Sequence, residues 1–308
     1  MVIKIAALLT CFNRKVKTVR CLESLFKAEM LYNRVHNDNQ LCISVYLTDD
    51  ACTDGTVDAV REVCMSRDFH LIQGNGHCYW AGGMRLAWAE ALKKNKEWDF
   101  YLLLNDDTII CDNVFDELFL AHHFALANTN KPGIYSGVTS DLVDLNCITY
   151  SGSVYENVSK GLLHKAMPTG KPQKVDVTNA NILLIPNEIV NEVGIFNKDF
   201  IHSDADYDYS MMVARHGYAA FITANVCGRC EYDHKKEGDV IYDLRQMSFK
   251  ERYKYVNNPV HCDHDYLLYL KRNIPHKYYI SWLLRKVRLF SPSIYAKICY
   301  LRGIEDYK

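Results

Sequence analysis

Acidic residues cluster at three places in the 308-residue chain, and each cluster has a spacing that suits chemistry. In the first, Asp49 and Asp50 follow an apolar run that ends at Thr48. Two carboxylates at the end of a buried strand need hydrogen-bond donors, and a nucleobase or a ribose can supply them. Asp54 and Thr56, a little further on, are residue types that begin helices. We therefore expect Asp49 to contact a ligand and Asp54 and Thr56 to cap a helix.

The second cluster is Asn105-Asp106-Asp107, which follows the apolar segment Phe100–Leu104. Oxygen-bearing residues two positions apart can share a face, and hard oxygen ligands suit Mg²⁺ or Mn²⁺ bridging a diphosphate. Because the same residue types also favour turns, a simple turn is the alternative.

The third cluster holds Asp204, Asp206 and Asp208, at the start of a helix predicted to end before Gly217. Carboxylates in a first helical turn stabilise the helix dipole, which accounts for some of them. Three exceed what a helix start needs, and a carboxylate at the mouth of a cleft can act as a general base. This cluster is therefore the best source of a catalytic base.

A fourth segment, Gly74–Arg85, combines glycines with aromatic residues. It does not fit the dinucleotide pattern G-x-G-x-x-G, because Tyr79 stands at the third glycine position. Gly82-Gly83 at a helix start would let the backbone approach a ligand, with Arg85 as a charge partner. A tight loop with packed aromatic rings is the alternative for Tyr79 and Trp80.

The framework for these clusters is an alternation of strand and helix patterns in the first third of the chain. Strands are predicted over Ile3–Leu9, Ser44–Thr48, Phe69–Gln73 and Phe100–Leu104, and helices over about Val16–Ala28, Val57–Cys64 and Gly82–Lys94. This rhythm predicts a mostly parallel sheet with helices on both faces. Ligands of such sheets bind at the carboxyl ends of the strands, where the first two clusters fall.

Later segments follow other patterns. Short strand patterns between Gly133 and Ile185 predict an added β region, followed by a helix over about Tyr207–His216 and a strand over Phe221–Val226. Beyond Leu244, long amphipathic segments rich in Tyr, Lys and Arg predict a helical C-terminal appendage. The formal charge of -1 conceals a division at that point, with -9 before it and +8 after it.

Composition narrows the classes of protein. With 49% hydrophobic and 24% charged residues, the chain is neither disordered, collagen-like nor a small disulfide scaffold. A near-neutral total disfavours a general nucleic-acid binder, and the lack of a long apolar run disfavours a membrane-spanning helix. The apolar run Ile5–Phe12 is expected to be a strand, and the protein cytoplasmic with unpaired cysteines. Cys227 and Cys230 have ligand-like spacing but lack the second pair of a structural zinc site.

Taken in order, these segments resemble family 2 of the inverting glycosyltransferases, which have the GT-A fold. The resemblance runs from Ile3 to about His234, some three quarters of the chain. The matching segments are Leu8–Arg14, Thr48–Thr56, Tyr79–Met84, Leu104–Thr108, Gly194–Phe196, Asp206–Asp208 and Gly217-Tyr218. It implies a nucleotide-binding half at about 1–110 and an acceptor half at about 111–244, together forming a catalytic domain. Residues 245–308 would form an extension.

The resemblance also implies residues for the donor and the metal. Those placed at the nucleotide-sugar donor are Thr10, Asn13, Arg14, Asp49, Arg85, Asn105 and Asp106. Asn105 stands where the family has the first Asp of its D-x-D motif, which leaves Asp107 as the ligand of Mg²⁺ or Mn²⁺. His234 is implied as a further metal contact.

The catalytic base is implied by counting back from Gly217-Tyr218, which aligns Asp206 with the family's catalytic carboxylate. Ala205 stands where Glu or Gly is usual, so Asp204 remains a competing candidate. Asp208 and Trp80 are expected to support the base or the acceptor.

The implied activity is transfer of a hexose or deoxyhexose to an acceptor hydroxyl, with inversion, in surface polysaccharide or glycan synthesis. The acceptor would be a glycan or a lipid-linked saccharide. Two alternatives stay open: an inactive carbohydrate- or partner-binding relative, and a sugar nucleotidyltransferase. The latter normally has a glycine-rich loop where this chain has Cys11-Phe12-Asn13.

The basic, aromatic tail has two open explanations. It could lie on the inner face of a membrane, where a lipid-linked acceptor would be found. Alternatively it packs on the sheet as a helical subdomain or forms a homodimer contact.

Overall fold

A computed structural model describes residues 1–94, 97–159, 161–232, 237–261 and 263–301. Its strands are β1 (Val2–Cys11), β2 (Gln40–Asp49), β3 (Phe69–Gln73), β4 (Phe100–Leu104), β5 (Ile109–Ile110), β6 (Gly133–Ser140), β7 (Ile148–Tyr150), β8 (Gly152–Asn157), β9 (Leu162–Lys165), β10 (Gln173–Val175), β11 (Val177–Thr178), β12 (Ile182–Pro186) and β13 (Ala219–Arg229). Its helices are α1 (Lys15–Val35), α2 (Thr56–Val63), α3 (Tyr79–Lys94), α4 (Val114–Thr129), α5 (Asn187–Val193), α6 (Ala205–Arg215), α7 (Glu237–Gln246), α8 (Phe249–Val256), α9 (His264–Asn273), α10 (Pro275–Phe290) and α11 (Pro292–Leu301).

The main sheet brings the predicted nucleotide-binding strands together. Its strand order is β10-β13-β6-β12-β4-β1-β2-β3, with β5 attached to β13 and β7 to β6. Strand β1 pairs in parallel with β2 and β4, and β2 pairs in parallel with β3. Strand β12 runs antiparallel between β4 and β6. The predicted α/β class, a mostly parallel sheet flanked by helices, is confirmed.

Strand β1 shows how the apolar sequence produces this arrangement. Ile5, Ala7 and Leu9 join one hydrophobic core, with residues of α1 and α4, while Ala6 and Leu8 join another, with residues of α3 and α6. A strand covered on both faces needs an almost continuous apolar run, because alternate side chains point to opposite cores. The run predicted to be a strand therefore forms the centre of the sheet.

Several helices differ from the sequence patterns, which also miss α5 and begin α3 at Gly82, three residues after its start at Tyr79. The patterns do not predict α4, which buries Val114, Phe115 and Leu118 in the first core. Apolar residues occur around much of this helix, so its helical periodicity is weak in the sequence. Helix α6 begins at Ala205, two residues before the predicted start. Asp206 therefore lies within its first turn.

The C-terminal segment is helical, as expected, and part of it packs on the main body. Helix α9 contributes Tyr269 and Leu270 to the second core, and Ile274, directly after the helix, joins them. The helices α7, α8 and α10 share a smaller cluster made by Leu244, Val256 and Leu289. The division after Leu244 stays a prediction, and α9 makes core contacts across it. Within the described ranges, we find no helix with the length and apolar character needed to cross a membrane.

The packing of α3 on β1 predicts opposite effects for two neighbouring glycines. A Cβ atom on Gly83 would lie 2.0 Å from Thr10 Oγ1, whereas one on Gly82 would meet its nearest atom at 3.5 Å. Gly83→Ala should therefore lower the free energy of unfolding by about 1–3 kcal/mol. Gly82→Ala, the matched control, should be neutral or raise it by up to about 1 kcal/mol, because alanine favours helix. Urea unfolding of both variants measures this, and equal effects would contradict the close approach.

Candidate active site at the strand ends

The carboxyl ends of β1, β2 and β4 lie side by side. Cys11 pairs with Asp49 in the sheet, so the chain leaves β1 and β2 at the same level. On the other side of β1, β4 ends at Leu104, directly before Asn105. The first two acidic clusters are therefore brought to one edge of the sheet, as the sequence predicted.

Asp49 and Asn13 hold the loop that follows β2. Asp49 Oδ1 accepts the main-chain N–H of Cys52 at 2.8 Å, and its Oδ2 accepts the Gln73 side-chain amide at 3.2 Å. Asn13 has a left-handed backbone, with φ of 50°, and its Oδ1 accepts the N–H of Thr53 at 2.7 Å. Both predicted donor contacts thus border the same loop, and both also shape it.

Asp54 supports the start of α2 as expected, although the N-cap residue is Gly55 rather than Asp54 or Thr56. Its two carboxylate oxygens accept the main-chain N–H groups of Thr56 at 3.0 Å and of Lys15 at 3.1 Å. One carboxylate therefore serves the first turns of both α2 and α1. Thr56 lies inside α2 and donates its hydroxyl to Asp54.

Thr10 and Arg85 are already engaged by the protein. Thr10 lies buried beneath Gly83, whose lack of a side chain makes room for it. Gly83 therefore serves helix packing, and the expected approach of its backbone to a ligand is not what the structure shows. Arg85 Nη1 donates to the main-chain oxygens of Asn197 at 3.1 Å and Phe200 at 2.7 Å. Its guanidinium thereby connects α3 to the segment that leads to α6.

Asp50 is a positioning residue that the sequence patterns left without a role. Its carboxylate accepts the main-chain N–H groups of Gly76, Cys78 and Tyr79 at 2.8–3.1 Å. It thus gathers the loop before α3 and places a negative charge at the helix's N-terminus, where the dipole favours it. The signal available in the sequence was a second Asp after the strand together with a glycine-rich loop.

Trp80 and Asn105 contact each other, although neither sequence motif alone predicts this contact. The indole Nε1–H donates to Asn105 Oδ1 at 2.8 Å. The indole also packs against Phe196, with ring centroids 5.5 Å apart. The first residue of the Asn105-Asp106-Asp107 segment is therefore fixed by an aromatic side chain of α3.

Arg14 bridges the two acids that follow. Its Nη1 lies 2.8 Å from Asp107 Oδ2 and 3.2 Å from Asp106 Oδ1. Thr18, on α1, donates its hydroxyl to the other oxygen of Asp106 at 3.1 Å. Burial raises the pKa of Asp106 to about 6, although the Arg14 charge opposes the shift. The predicted donor residue Arg14 thus serves as a counter-ion for this acid pair.

The acid pair fits a divalent cation. Both groups are hard oxygen donors of the kind that Mg²⁺ and Mn²⁺ prefer, and a guanidinium already lies against them. Cys230, at the end of β13, places its thiol 3.7 Å from Asp107 Oδ1. His234, the other predicted metal contact, lies outside the described residues, four positions beyond Cys230.

Asp206 lies in a half-buried position at the start of α6. Its Oδ2 accepts the N–H of Ala180 at 3.1 Å, and its Oδ1 accepts the N–H of Tyr207 at 2.9 Å. Burial raises the pKa of Asp206 to about 7, and the nearby charge of Asp204 adds to the shift. A carboxylate with this pKa can accept a proton near neutral pH.

Asp204, the competing candidate, directly precedes α6. It has a left-handed backbone, with φ of 58°, and burial raises its pKa to about 6. The charge of Asp204 adds to the raised pKa of Asp206, so the protonation of one acid affects that of the other.

A short segment connects the base candidate to the acid pair. Ala180 donates to Asp206, and the next residue, Asn181, accepts the N–H of Asn105 at 3.1 Å. The Asn181 side chain also reaches Cys230 Sγ at 3.6 Å. One stretch of backbone before β12 therefore sets the position of Asp206 relative to the strand end that carries the acid pair.

Helix α9 also binds the chain on both sides of Asp206. The sequence patterns did not predict this contact. Its buried Asp265 accepts the main-chain N–H groups of residues 201 to 203 at 2.7–3.2 Å. Asp208 is buried and accepts from Arg272 Nε and Asn273 Nδ2, each at 2.8 Å. The structure therefore joins Asp208 to α9 and does not bring it to Asp206.

Comparisons of the sequence find no matching family model and no matching curated protein. Comparisons of the fold do find matches. One is the mannosyltransferase PcManGT from Pyrobaculum calidifontis in complex with GDP-Man and Mn²⁺, with a TM-score of 0.50, 15% identity, and coverage of 97% of this chain and 79% of that one. Another is S. aureus TarS 1-349 in complex with UDP-GlcNAc, with a TM-score of 0.52, 12% identity, and coverage of 89% and 73%.

A third is GalNAc-T7 with UDP, GalNAc and Mn²⁺, with a TM-score of 0.54, 12% identity and coverage of 77% of this chain. All have the GT-A fold. This chain has the GT-A fold. It spans 45% of the GalNAc-T7 chain and 43% of a longer TarS chain. Because the mannosyltransferase match covers 97% of this chain, the GT-A likeness extends beyond the three quarters covered by the sequence resemblance.

The contact between Arg14 and the acid pair predicts how metal affinity responds to mutation. Arg14→Met removes a positive charge within 3.2 Å of both carboxylates, so we expect Mn²⁺ alone to bind about tenfold more tightly. Asp107→Asn should weaken binding instead. The matched control is Lys15→Met, which removes the same charge from a side chain lying near Gly55. Calorimetric titration with MnCl₂ measures all three, and equal affinities of Arg14→Met and Lys15→Met would contradict the counter-ion role.

Proposed function

We propose that this protein is an inverting glycosyltransferase of family 2, which moves a sugar from a nucleotide-diphospho-sugar to an acceptor hydroxyl. The observation that carries the proposal is the placement of two kinds of acid by one backbone segment. Asp206 has a pKa suited to a base, and Asp107 belongs to an acid pair that contacts the Arg14 guanidinium. The structural neighbours captured with UDP-GlcNAc, GDP-Man and Mn²⁺ support a nucleotide-sugar donor and a divalent metal.

The chemistry is a single displacement at the anomeric carbon. Asp206 accepts the proton of the acceptor hydroxyl while that oxygen forms the new bond to the sugar. The bond to the nucleoside diphosphate breaks, and the leaving group takes the electron pair. Because one attack occurs from the opposite side, the configuration inverts, and one base is sufficient.

The remaining residues position these groups. Asp107, with Asp106 and His234, would hold Mg²⁺ or Mn²⁺, which supplies positive charge for the leaving diphosphate. Asp49 and Asn13 border the place proposed for the nucleobase and the ribose of the donor. The Ala180 and Tyr207 N–H groups each bond one oxygen of the Asp206 carboxylate, and each oxygen keeps a lone pair for the proton of the acceptor hydroxyl.

The alternatives differ in what they require. A sugar nucleotidyltransferase would use a glycine-rich phosphate loop after β1, but here Asn13 and Arg14 are committed to a neighbouring loop and to the acid pair. An inactive binding relative would not need a half-buried carboxylate with a raised pKa whose backbone contact continues to the strand end that carries an acid pair. On the basis of the sequence resemblance, we further propose that the reaction belongs to glycan or surface polysaccharide synthesis and takes place at the cytoplasmic side of a membrane.

Asp206→Asn tests the base. We expect transfer or hydrolysis of the cognate nucleotide sugar to fall by about 10²–10⁴-fold, because asparagine cannot accept the proton. Binding of nucleoside diphosphate with Mn²⁺, measured by thermal shift, should stay unchanged. Asp204→Asn is the matched control and should retain most activity. A greater loss in Asp204→Asn would assign the base to Asp204, and loss of nucleotide binding in Asp206→Asn would remove the base role.

The raised pKa of Asp206 predicts the direction of the pH dependence. The base acts as a carboxylate, so kcat/KM should be constant above about pH 7 and fall about tenfold per unit below it. Stability should change in the opposite sense. Because burial disfavours the charged form, the free energy of unfolding falls as the pH rises from the usual pKa of Asp through about 7. Asp206→Asn should reduce that fall, and a flat rate profile between about pH 5 and pH 8 would contradict the assignment.

A further inference from the structure

The outer face of α10 carries exposed apolar and aromatic side chains. Tyr279, Leu283 and Phe290 are 77%, 57% and 65% exposed, at helical spacings of four and seven residues. Ile280 and Trp282 flank this line and are also exposed. The opposite side of the helix buries Arg288, which is ion-paired with Asp263. This arrangement reverses the usual pattern for a surface helix, whose apolar stripe faces the core.

Neighbouring helices extend this face. Phe249 of α8 stacks on Phe290, with ring centroids 5.5 Å apart, and Tyr253 lies beside it. On α11, Ile294 and Leu301 are exposed as well. We call these exposed apolar residues of α8, α10 and α11 the outer face. Apolar exposure continued over several elements indicates an interaction surface.

The charge around the outer face is positive. Residues 245 to 301 contain eleven Lys and Arg against three Asp and Glu. Asp265 is buried, and Asp263 contacts Arg285 and Arg288, which leaves Glu251 as the exposed acid of this stretch in the described part. Lys286 lies on the outer face itself. Such a surface attracts an anionic partner, and a second copy facing it across a two-fold axis would oppose like charges.

The outer face is connected to the acceptor side of Asp206. His276, at the start of α10, contacts the main-chain oxygen of Ser159 at 2.8 Å, in the turn between β8 and β9. In β8, the Tyr155 hydroxyl contacts Tyr269, whose ring packs edge-on against Tyr207 with centroids 6.3 Å apart. Tyr207 is the residue next to the proposed base. A body docked through α10 would therefore lie near the end of the site that receives the acceptor.

We propose that the outer face docks on an anionic lipid bilayer, where the acceptor saccharide is carried on a lipid. The apolar side chains enter the interface between headgroups and acyl chains, and the basic residues contact the anionic headgroups. The docking itself stands on the exposed face and its charge. The identity of the acceptor rests additionally on the proposed function.

Co-sedimentation of the full chain with vesicles tests the docking. Vesicles of phosphatidylcholine mixed with phosphatidylglycerol should bind it, vesicles of phosphatidylcholine alone should bind it weakly, and added salt should release it. Leu283→Ser with Phe290→Ser should lower the partition coefficient by at least about tenfold. The matched control is Met65→Ser with Val143→Ser, which removes two side chains that are 81% and 91% exposed in loops outside the C-terminal helices. This control should bind like the original chain.

Two results would overturn the docking surface. One is equal vesicle binding by the α10 double variant and its control. The other is absence of vesicle binding together with self-association that the double variant abolishes, measured by sedimentation velocity, which would assign the face to a second copy. Asp206→Asn should bind vesicles normally. Vesicle binding without any nucleotide-sugar activity would therefore refute the proposed function and leave the docking surface standing.

Discussion

A carboxylate held away from water needs hydrogen-bond donors or a positive charge, and this constraint organises the working edge of the sheet. The loops there fold around acids. Asp50 gathers the N–H groups that precede α3, and Asp265 gathers those that precede Asp204. Asp106 is matched by Arg14 and a threonine hydroxyl. The acids that appear in the sequence as clusters are therefore structural centres as well as candidates for chemistry.

Differences in how these acids are matched separate their proposed roles. Asp106 and Asp107 share a guanidinium, an environment that favours a cation. Burial and the charge of nearby Asp204 make the charged form of Asp206 less stable and raise its pKa, although the two N–H groups that it accepts oppose the shift. Different environments give acids different pKa values, and in this way one fold can provide both a base and a charge-binding group. The backbone at Ala180 and Asn181 contacts both regions and so fixes the position of one relative to the other.

The prediction of the fold succeeded where burial on both faces forced a distinctive sequence. The apolar run of β1 and the strand-helix rhythm around it identified the sheet, and parallel topology then placed Asp49 and Asn105 at the same edge, on either side of β1. Helix α4 was not predicted, because its own apolar residues occur around much of its circumference and weaken the helical periodicity of the sequence. Gly83 was expected near a ligand, but its distance to Thr10 shows that it serves packing. A glycine pattern predicts that another group packs closely against the backbone, but it does not identify that group.

The sequence by itself determined the residue types at the strand ends, the order of the motifs and the charge division near Leu244. Tertiary structure alone decided which partner each acid has. Arg14 lies more than 90 positions from the acids it bridges, and Asp265 lies about 60 positions from the loop it holds. Asp208 stands two residues from Asp206, yet it faces α9 because successive helical positions point in different directions. Such pairings depend on how distant elements pack, and no local pattern records them.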